Sequence, residues 1–283
     1  MKYIQIGYTK ELFYLSNELY LLKLLIVVDT IVFINSSLID NNKGSNYIEY
    51  NPDLTIYSQK NCFWDTTEIE YKIDIQSQHF DFNSLFNDSS DRFEFGKSCL
   101  KVSYERYKEI KYRQILTYIV ILGKRNWNQK MAIKYKLPKP GNILTRKVII
   151  CHYNEENFKQ SIMNLTNCTL VSEVEINSFP PFYKHKYRCV CIDKEKGYVF
   201  GVSFGDAKLL NKSRMSFKQI EIEFWSKIID KSSNKCQLYD DDFNKSFQEL
   251  INLCRKKLDY ENIPYHLPGG TKYEWLKTCK KQL

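Results

Sequence analysis

Glycine and proline are scarce in this chain, at 10 and 7 of 283 residues, so neither a collagen-like repeat nor a Gly/Pro-rich linker is on offer. The phosphate loop GxxxxGK[ST], the dinucleotide turn GxGxxG and the zinc helix HExxH are all missing. Each of these signatures builds a specific backbone or ligand geometry, and their absence removes the corresponding nucleotide-loop and metalloprotease readings. Histidines number four (79, 152, 185, 266), and the nine cysteines form no CxxC pair with a nearby His repeat. A structural zinc site and a full disulfide framework are therefore not expected, and reduced thiols in a cytoplasmic protein are. Uninterrupted apolar stretches are short. The longest, Leu19 to Ile34, carries Lys23 and Asp29, and as a helix of sixteen residues it would span about 24 Å against a hydrocarbon core of about 30 Å. It reads as a helix or strand that packs in a core or docks a partner, and no membrane association is expected.

What is present is a globular composition, 43% hydrophobic and 15% aromatic, with a net charge of +9. That charge suits a polyanionic partner, although the basic residues are spread along the chain and a solvated basic surface accounts for many of them. The length fits one large domain with an extension: residues 1–60 as an apolar N-terminal segment of unassigned role, and 61–283 as the main domain. Period-two alternation predicts strands over 62–75, 112–122, 130–137, 144–152, 171–178, 183–192, 197–204 and 218–225. Helices are predicted over 79–86, 154–168 with Asn154 as cap, and 244–258, whose Phe247, Leu250, Ile251, Cys254 and Leu258 make one apolar face. Eight or so mostly antiparallel strands with a few helices predict an α+β, mainly β fold, a barrel or strongly curved sheet.

Two of these strands are chemically unusual. Glu68-Ile69-Glu70-Tyr71-Lys72 and Glu221-Ile222-Glu223 alternate charged and apolar residues, so Glu68, Glu70 and Lys72 share one face, as do Glu221 and Glu223. Two carboxylates ~4 Å apart repel by about 1 kcal/mol in water and about 4 kcal/mol at an effective dielectric of 20. A fold that gathers four of them wants a compensating cation. Between the two strands lie basic pairs at alternate positions: Lys134 and Lys136, Arg146, and Lys186 with Arg188.

The order ExExK, KxK, R, KxR, D, ExE resembles the CYTH family of triphosphate tunnel enzymes, which includes thiamine triphosphatases, inorganic triphosphatases and class IV adenylyl cyclases. The resemblance runs from about residue 65 to 277 and is carried by Glu68 to Lys72 and by Gln219 to Glu223. Ile133 to Pro138, Thr145-Arg146-Lys147, Lys186 to Arg188 and Thr271-Lys272-Tyr273 support it. It implies an eight-stranded closed antiparallel barrel with flanking helices, enclosing a tunnel. It implies that Glu68, Glu70, Asp206, Glu221 and Glu223 hold Mg²⁺ or Mn²⁺, and that Lys72, Lys136, Arg146, Lys186, Arg188 and Lys272 grip triphosphate oxygens. Glu68, Glu70, Lys72, Glu221 and Glu223 would be the catalytic set. Hard oxygen donors suit such ions, and Lys or Arg make charge-assisted hydrogen bonds to phosphate.

Taken one by one, Lys136 and Arg146 also read as exposed strand residues, Asp206 as a turn aspartate after Gly205, and His185 as a surface residue. The expected activity is metal-dependent hydrolysis of the terminal phosphate of a soluble triphosphate, thiamine triphosphate first, by a monomer. Alternatives are an RNA 5′-triphosphatase acting in capping, with nucleic acid as partner only in that case, an adenylyl cyclase, or an inactive triphosphate-binding module. The family's arginine strand ahead of the lysine strand has no clear counterpart. Tyr104 to Gly123 offers Tyr104-Glu105-Arg106-Tyr107 and a nearly uncharged Leu116 to Leu122, with Lys124 and Arg125 at a shifted position.

Overall fold

Eight long strands pair edge to edge until the last meets the second, and the sheet closes. They are β1 (Cys62–Ile75), β2 (Cys99–Tyr112), β3 (Ile115–Leu122), β4 (Lys130–Lys136), β5 (Leu144–His152), β6 (Phe182–Asp193), β7 (Tyr198–Leu209) and β8 (Lys212–Ile229). Around the barrel the order is β2-β3-β4-β5-β1-β8-β7-β6, and β6 pairs back onto β2, with every contact antiparallel. This is the closed eight-stranded barrel expected from the sequence, and closure leaves none of the eight as a free edge. The structure, a computed structural model, describes residues 62–77, 80–86, 90–96, 98–123, 129–136, 144–210, 212–229 and 241–282. It also describes short strands at 12–14, 22–27, 30–35, 47–49 and 55–56.

Closure gives each strand a lumen face and an outer face, and the sequence assigns them by alternation. On β1, Ile69, Tyr71, Ile73 and Ile75 point outward. So do Phe200, Val202 and Phe204 of β7 and Ile220, Ile222 and Phe224 of β8. Helix α3 (Asp241–Tyr260) lays Phe243, Phe247, Leu250, Ile251, Cys254 and Leu258 across these residues. The principal core thus lies outside the barrel. A second cluster sits opposite, where α2 (Glu155–Thr166) buries Phe158 and Ile162 against Ile110, Ile119, Ile121, Met131 and Ile133. Asn154 caps α2 as expected, accepting a hydrogen bond from the Asn157 amide at 2.6 Å. A short helix α1 (Phe82–Phe86) adds Phe82, Leu85 and Phe86 to the first core.

Several expectations are corrected. The run 112–122 is a hairpin: β2 ends at Tyr112, Arg113 turns with φ 52°, and β3 starts at Ile115. Strand β2 was not foreseen, because Lys101 to Tyr112 carries charge on both faces, one facing the lumen and one solvent. Residues 171–173 form a 3₁₀ turn, with only Glu175–Ser178 as a strand on the β2 edge. The strands at 22–27 and 30–35 pair as a hairpin, and those at 47–49 and 55–56 pair with β8 and β1. Among the described cysteines six are free and Cys151 is disulfide-bonded, a departure from uniformly reduced thiols. The predicted turn at Pro138 to Gly141 and the shifted bases Lys124 and Arg125 lie outside the described residues. No described helix is long and apolar enough to cross a membrane.

Because α3 supplies the wall behind the two charged strands, Phe247→Ala, at a fully buried position, is expected to cost ~3–5 kcal/mol in denaturant unfolding. A loss below about 1 kcal/mol would contradict the packing described.

Candidate functional site: a charged barrel lumen

The lumen face of β1 carries Glu68, Glu70, Lys72 and Asp74, and that of β8 carries Gln219, Glu221, Glu223 and Trp225. Their register sets Glu70 directly opposite Glu223 and Lys72 opposite Glu221. Strand β5 places Arg146 opposite Glu68. Strand β6 projects Lys184, Lys186 and Arg188 inward past the small residues Ser203, Gly205 and Ala207 of β7. A Cβ on Gly205 would lie 2.5 Å from Lys184 Cε, so the glycine is the gap through which that side chain passes.

Two ion clusters result. In the first, Arg146 Nε donates to Glu68 Oε2 at 2.5 Å, Lys134 Nζ lies 3.6 Å from the same oxygen, and Arg146 Nη2 lies 2.8 Å from Glu70 Oε1. In the second, Glu221 meets three ammonium groups: Lys272 at 2.5 Å, Lys186 at 2.6 Å and Lys184 at 3.5 Å. Lys186 also reaches Glu223 at 3.2 Å. Three lysines surround Glu221, one of them shared with Glu223, in a buried place where charge interacts through a low effective dielectric. Lysines gathered in this way favour a polyanion.

Burial alone would keep all these groups neutral, and the partners decide otherwise. Burial works against charge on Glu68, yet Arg146 and Lys134 hold it far below the usual carboxylate range. Glu221 is likewise lowered against burial by Lys184, Lys186 and Lys272, and Glu223 by Lys186 and Arg188. Arg146, Lys186 and Lys272 are raised despite burial by the carboxylates they touch. For Lys72 burial prevails over Glu70 and brings the ammonium down to about 8. Lys184, the most distant of the three on Glu221, is lowered by burial and by Lys272 and Lys186.

Helix α4 (Lys272–Lys281) closes one end of the lumen. Tyr273, Leu276 and Cys279 pack with Phe182, Ala207 and Leu209, alongside Tyr107, Tyr118 and Phe217 from the strand interior. Its start is fixed by a capping box between Thr271 and Glu274. The preceding loop is tied to the barrel by Gly270 N–H to Asp74 at 2.6 Å and by Gln219, which donates to Asp74 and to the Gly270 carbonyl. That anchoring aims Lys272 at Glu221. Side-chain exposure is 5% at Glu221 and 19% at Glu223 on β8, and 4% at Lys72, 0% at Glu70 and 26% at Glu68 on β1. Glu223 and Glu68, the members of the charged set farthest along their strands from α4, are thus its more exposed ones.

The expected residues Glu68, Glu70, Lys72, Arg146, Lys186, Glu221, Glu223 and Lys272 are brought together. Arg188 shares their face, and its guanidinium carbon lies over Trp225, 5.4 Å from the ring centre. Lys136 is opposite Arg146 in backbone register; its side chain lies outside the described part. Asp206 is not brought in. Alternation puts it on the outer face of β7, level with His185 and Lys218, where Lys208 Nζ lies 2.8 Å from its Oδ2. Its expected metal role is therefore withdrawn. Sequence reasoning missed Lys184, although it has the parity of Lys186 and Arg188, and Glu105 of β2, which register sets opposite Phe182 and whose charge acts on Lys184 and Lys272. Strand β3 carries no base, and on its lumen side Val120 packs with Ala132 of β4, Val148 of β5, Tyr107, Leu122 and Ile150.

The carboxylates are hard oxygen donors suited to Mg²⁺ or Mn²⁺. Glu70 is fully buried, and neither of its oxygens has a hydrogen-bonding partner, although Lys72 and Arg146 approach Oε1 to 2.9 and 2.8 Å. It faces Glu223 across the strand pair. These two observations suit a shared cation. Among the described residues, however, no three such donors already converge on one point.

No family model matches the chain, and no curated protein sequence matches it. Among solved structures it is similar to the Hippeastrum protein HpAC1, named for adenylyl cyclase and described as having a dominant triphosphatase activity. The identity is 13% and the TM-score 0.39, with 75% of this chain and 95% of that one covered. The S. pombe RNA triphosphatase Pct1 follows at 11% identity and a TM-score of 0.26, covering 69% and 82% of the two chains. It recurs in a complex with the Spt5 CTD at 12% identity and a TM-score of 0.24, with the same coverage. The fold assignment itself rests on the closed strand order.

The position of Lys72 makes a pH limb. Below about 8 its ammonium is charged and attracts a polyanion; above, that attraction is lost. Affinity for inorganic tripolyphosphate, measured by calorimetry, is expected to fall as pH rises through about 8, and Lys72→Arg to remove that limb because arginine stays charged. A wild-type affinity that is flat across this range would exclude Lys72 from the grip.

Proposed function

We propose that the barrel is a metal-dependent triphosphatase that removes the terminal phosphate of a soluble triphosphate, with thiamine triphosphate the first substrate to test. The observation that carries this reading is the three-lysine seat on Glu221, deep in a lumen that is otherwise lined by paired glutamates. Lys184, Lys186 and Lys272 would neutralise the equatorial oxygens of the terminal phosphoryl group, where charge is spread in the transition state. Arg146 offers two donors in a fixed fork to the next phosphate, and Lys72 a point charge between them. Glu70 and Glu223, with Glu68 and Glu221 beside them, would hold Mg²⁺ or Mn²⁺. The chemistry gained with the ion is neutralisation and polarisation of the phosphoryl oxygens. Holding these groups in place before the substrate arrives is the main source of rate, since phosphoryl transfer asks chiefly for positioning and charge stabilisation.

A second reading, an RNA 5′-triphosphatase, is favoured by the net charge of +9, which would draw in a nucleic-acid backbone. Its sign would be activity on triphosphate-ended RNA that falls steeply with added salt.

With Mg²⁺ or Mn²⁺, the purified protein is expected to release phosphate from thiamine triphosphate or tripolyphosphate. Glu221→Ala is expected to lower kcat by about 100-fold or more. No release from either substrate would refute the hydrolase. Independently of turnover, Mn²⁺ titration followed by electron paramagnetic resonance should show binding that Glu70→Gln and Glu223→Gln each weaken at least about tenfold. Equal binding in all three proteins would remove the metal from this site.

A further inference from the structure

We propose that Trp225 is the seat for a flat aromatic ring carried by the substrate, so that the pocket prefers a triphosphate attached to such a ring over bare tripolyphosphate. This rests on the triphosphate reading above and adds the organic end of the ligand. Trp225 continues the lumen face of β8 after Glu221 and Glu223, roughly 7 Å beyond Glu223 along the strand. Since α4 seals the other end, the terminal phosphate lies deep and whatever the triphosphate is attached to must lie toward Trp225.

Three contacts show that the indole is mounted there as a platform. It lies flat against the backbone of β7 at Gly201, where an added Cβ would come within 2.1 Å of the ring atoms Cε2 and Cζ2. Its Nε1–H donates to Glu223 Oε2 at 3.2 Å, which fixes its rotation. The Arg188 guanidinium carbon lies over the ring, 5.4 Å from its centre. The ring face therefore already receives a cation, and that cation is a member of the expected phosphate grip. When phosphate oxygens draw Arg188 toward themselves, a ring from the substrate takes its place. The Glu223 carboxylate beside the indole adds attraction for a ring that is cationic, while a neutral nucleobase would stack through its π face alone.

Calorimetry on the full chain decides this with three ligands: tripolyphosphate, thiamine triphosphate (a cationic ring) and ATP (a neutral base). The measured quantity is the affinity of each ring-bearing ligand relative to tripolyphosphate. Trp225→Ala is expected to lower that ratio about tenfold for at least one ring, with Trp225→Phe retaining most of it. The ring whose ratio falls more identifies the source. Circular dichroism melts confirm that each variant is folded, and Trp225→Leu, which keeps apolar bulk without an aromatic face, carries the comparison should the alanine variant fail to fold, with the same fall in the ratio expected. An unchanged ratio for both rings overturns the proposal, and so does binding of none of the three ligands. Binding without phosphate release, with the ratio still dependent on Trp225, overturns the hydrolase reading alone.

Discussion

The interdigitation of carboxylates and cations across the barrel interior is the constraint on which the rest depends. A lumen lined by glutamates alone would repel itself open, and one lined by lysines alone would not stay charged when buried. Register solves both problems at once. Lys72 faces Glu221, Arg146 faces Glu68, and Lys186 bridges Glu221 and Glu223. Where two carboxylates stand opposite, Glu70 against Glu223, the buried glutamate is left short of hydrogen bonds. A buried group in that condition is costly unless a ligand relieves it.

A charged interior moves the hydrophobic effect elsewhere. Most small barrels fill their centre with apolar side chains, whereas here the outer faces of β1, β7 and β8 carry the core and need α3 to cover them. The other side of the lumen is apolar, with Val120, Ala132 and Val148 packed together, and α4 fills one end with Tyr273 and Leu276. The barrel interior is thus apolar on one side and charged on the other. The charged side is built from β5, β1, β8 and β6 and from the first residue of α4.

Much of this was legible in the chain. Alternation in Glu68 to Ile75 and in Gln219 to Trp225 set their faces, because a strand has no choice about where successive side chains point. The apolar spacing of Phe247, Leu250, Ile251, Cys254 and Leu258 foretold a helix covering a sheet. Strand β2 was opaque for a physical reason: with charged residues on both faces it shows no apolar alternation, although one face is interior. Asp206 shows the opposite failure. The family resemblance implied a metal ligand there and its place after Gly205 a turn, while parity on β7 turns it outward to Lys208.

The sequence alone therefore determined which residues could share a face, since that depends only on local backbone geometry. It also determined that four glutamates at alternate positions would demand cations. The tertiary structure decided which cations. Lys184, Lys186 and Lys272 come from a strand two places away in the barrel and from the final helix, and only closure of the sheet and the anchoring of Gly270 to Asp74 bring them to Glu221. Likewise, only the register of β7 beside β8 placed Gly201 under Trp225. Pairing partners and register depend on contacts far apart in the chain, and no local pattern encodes them.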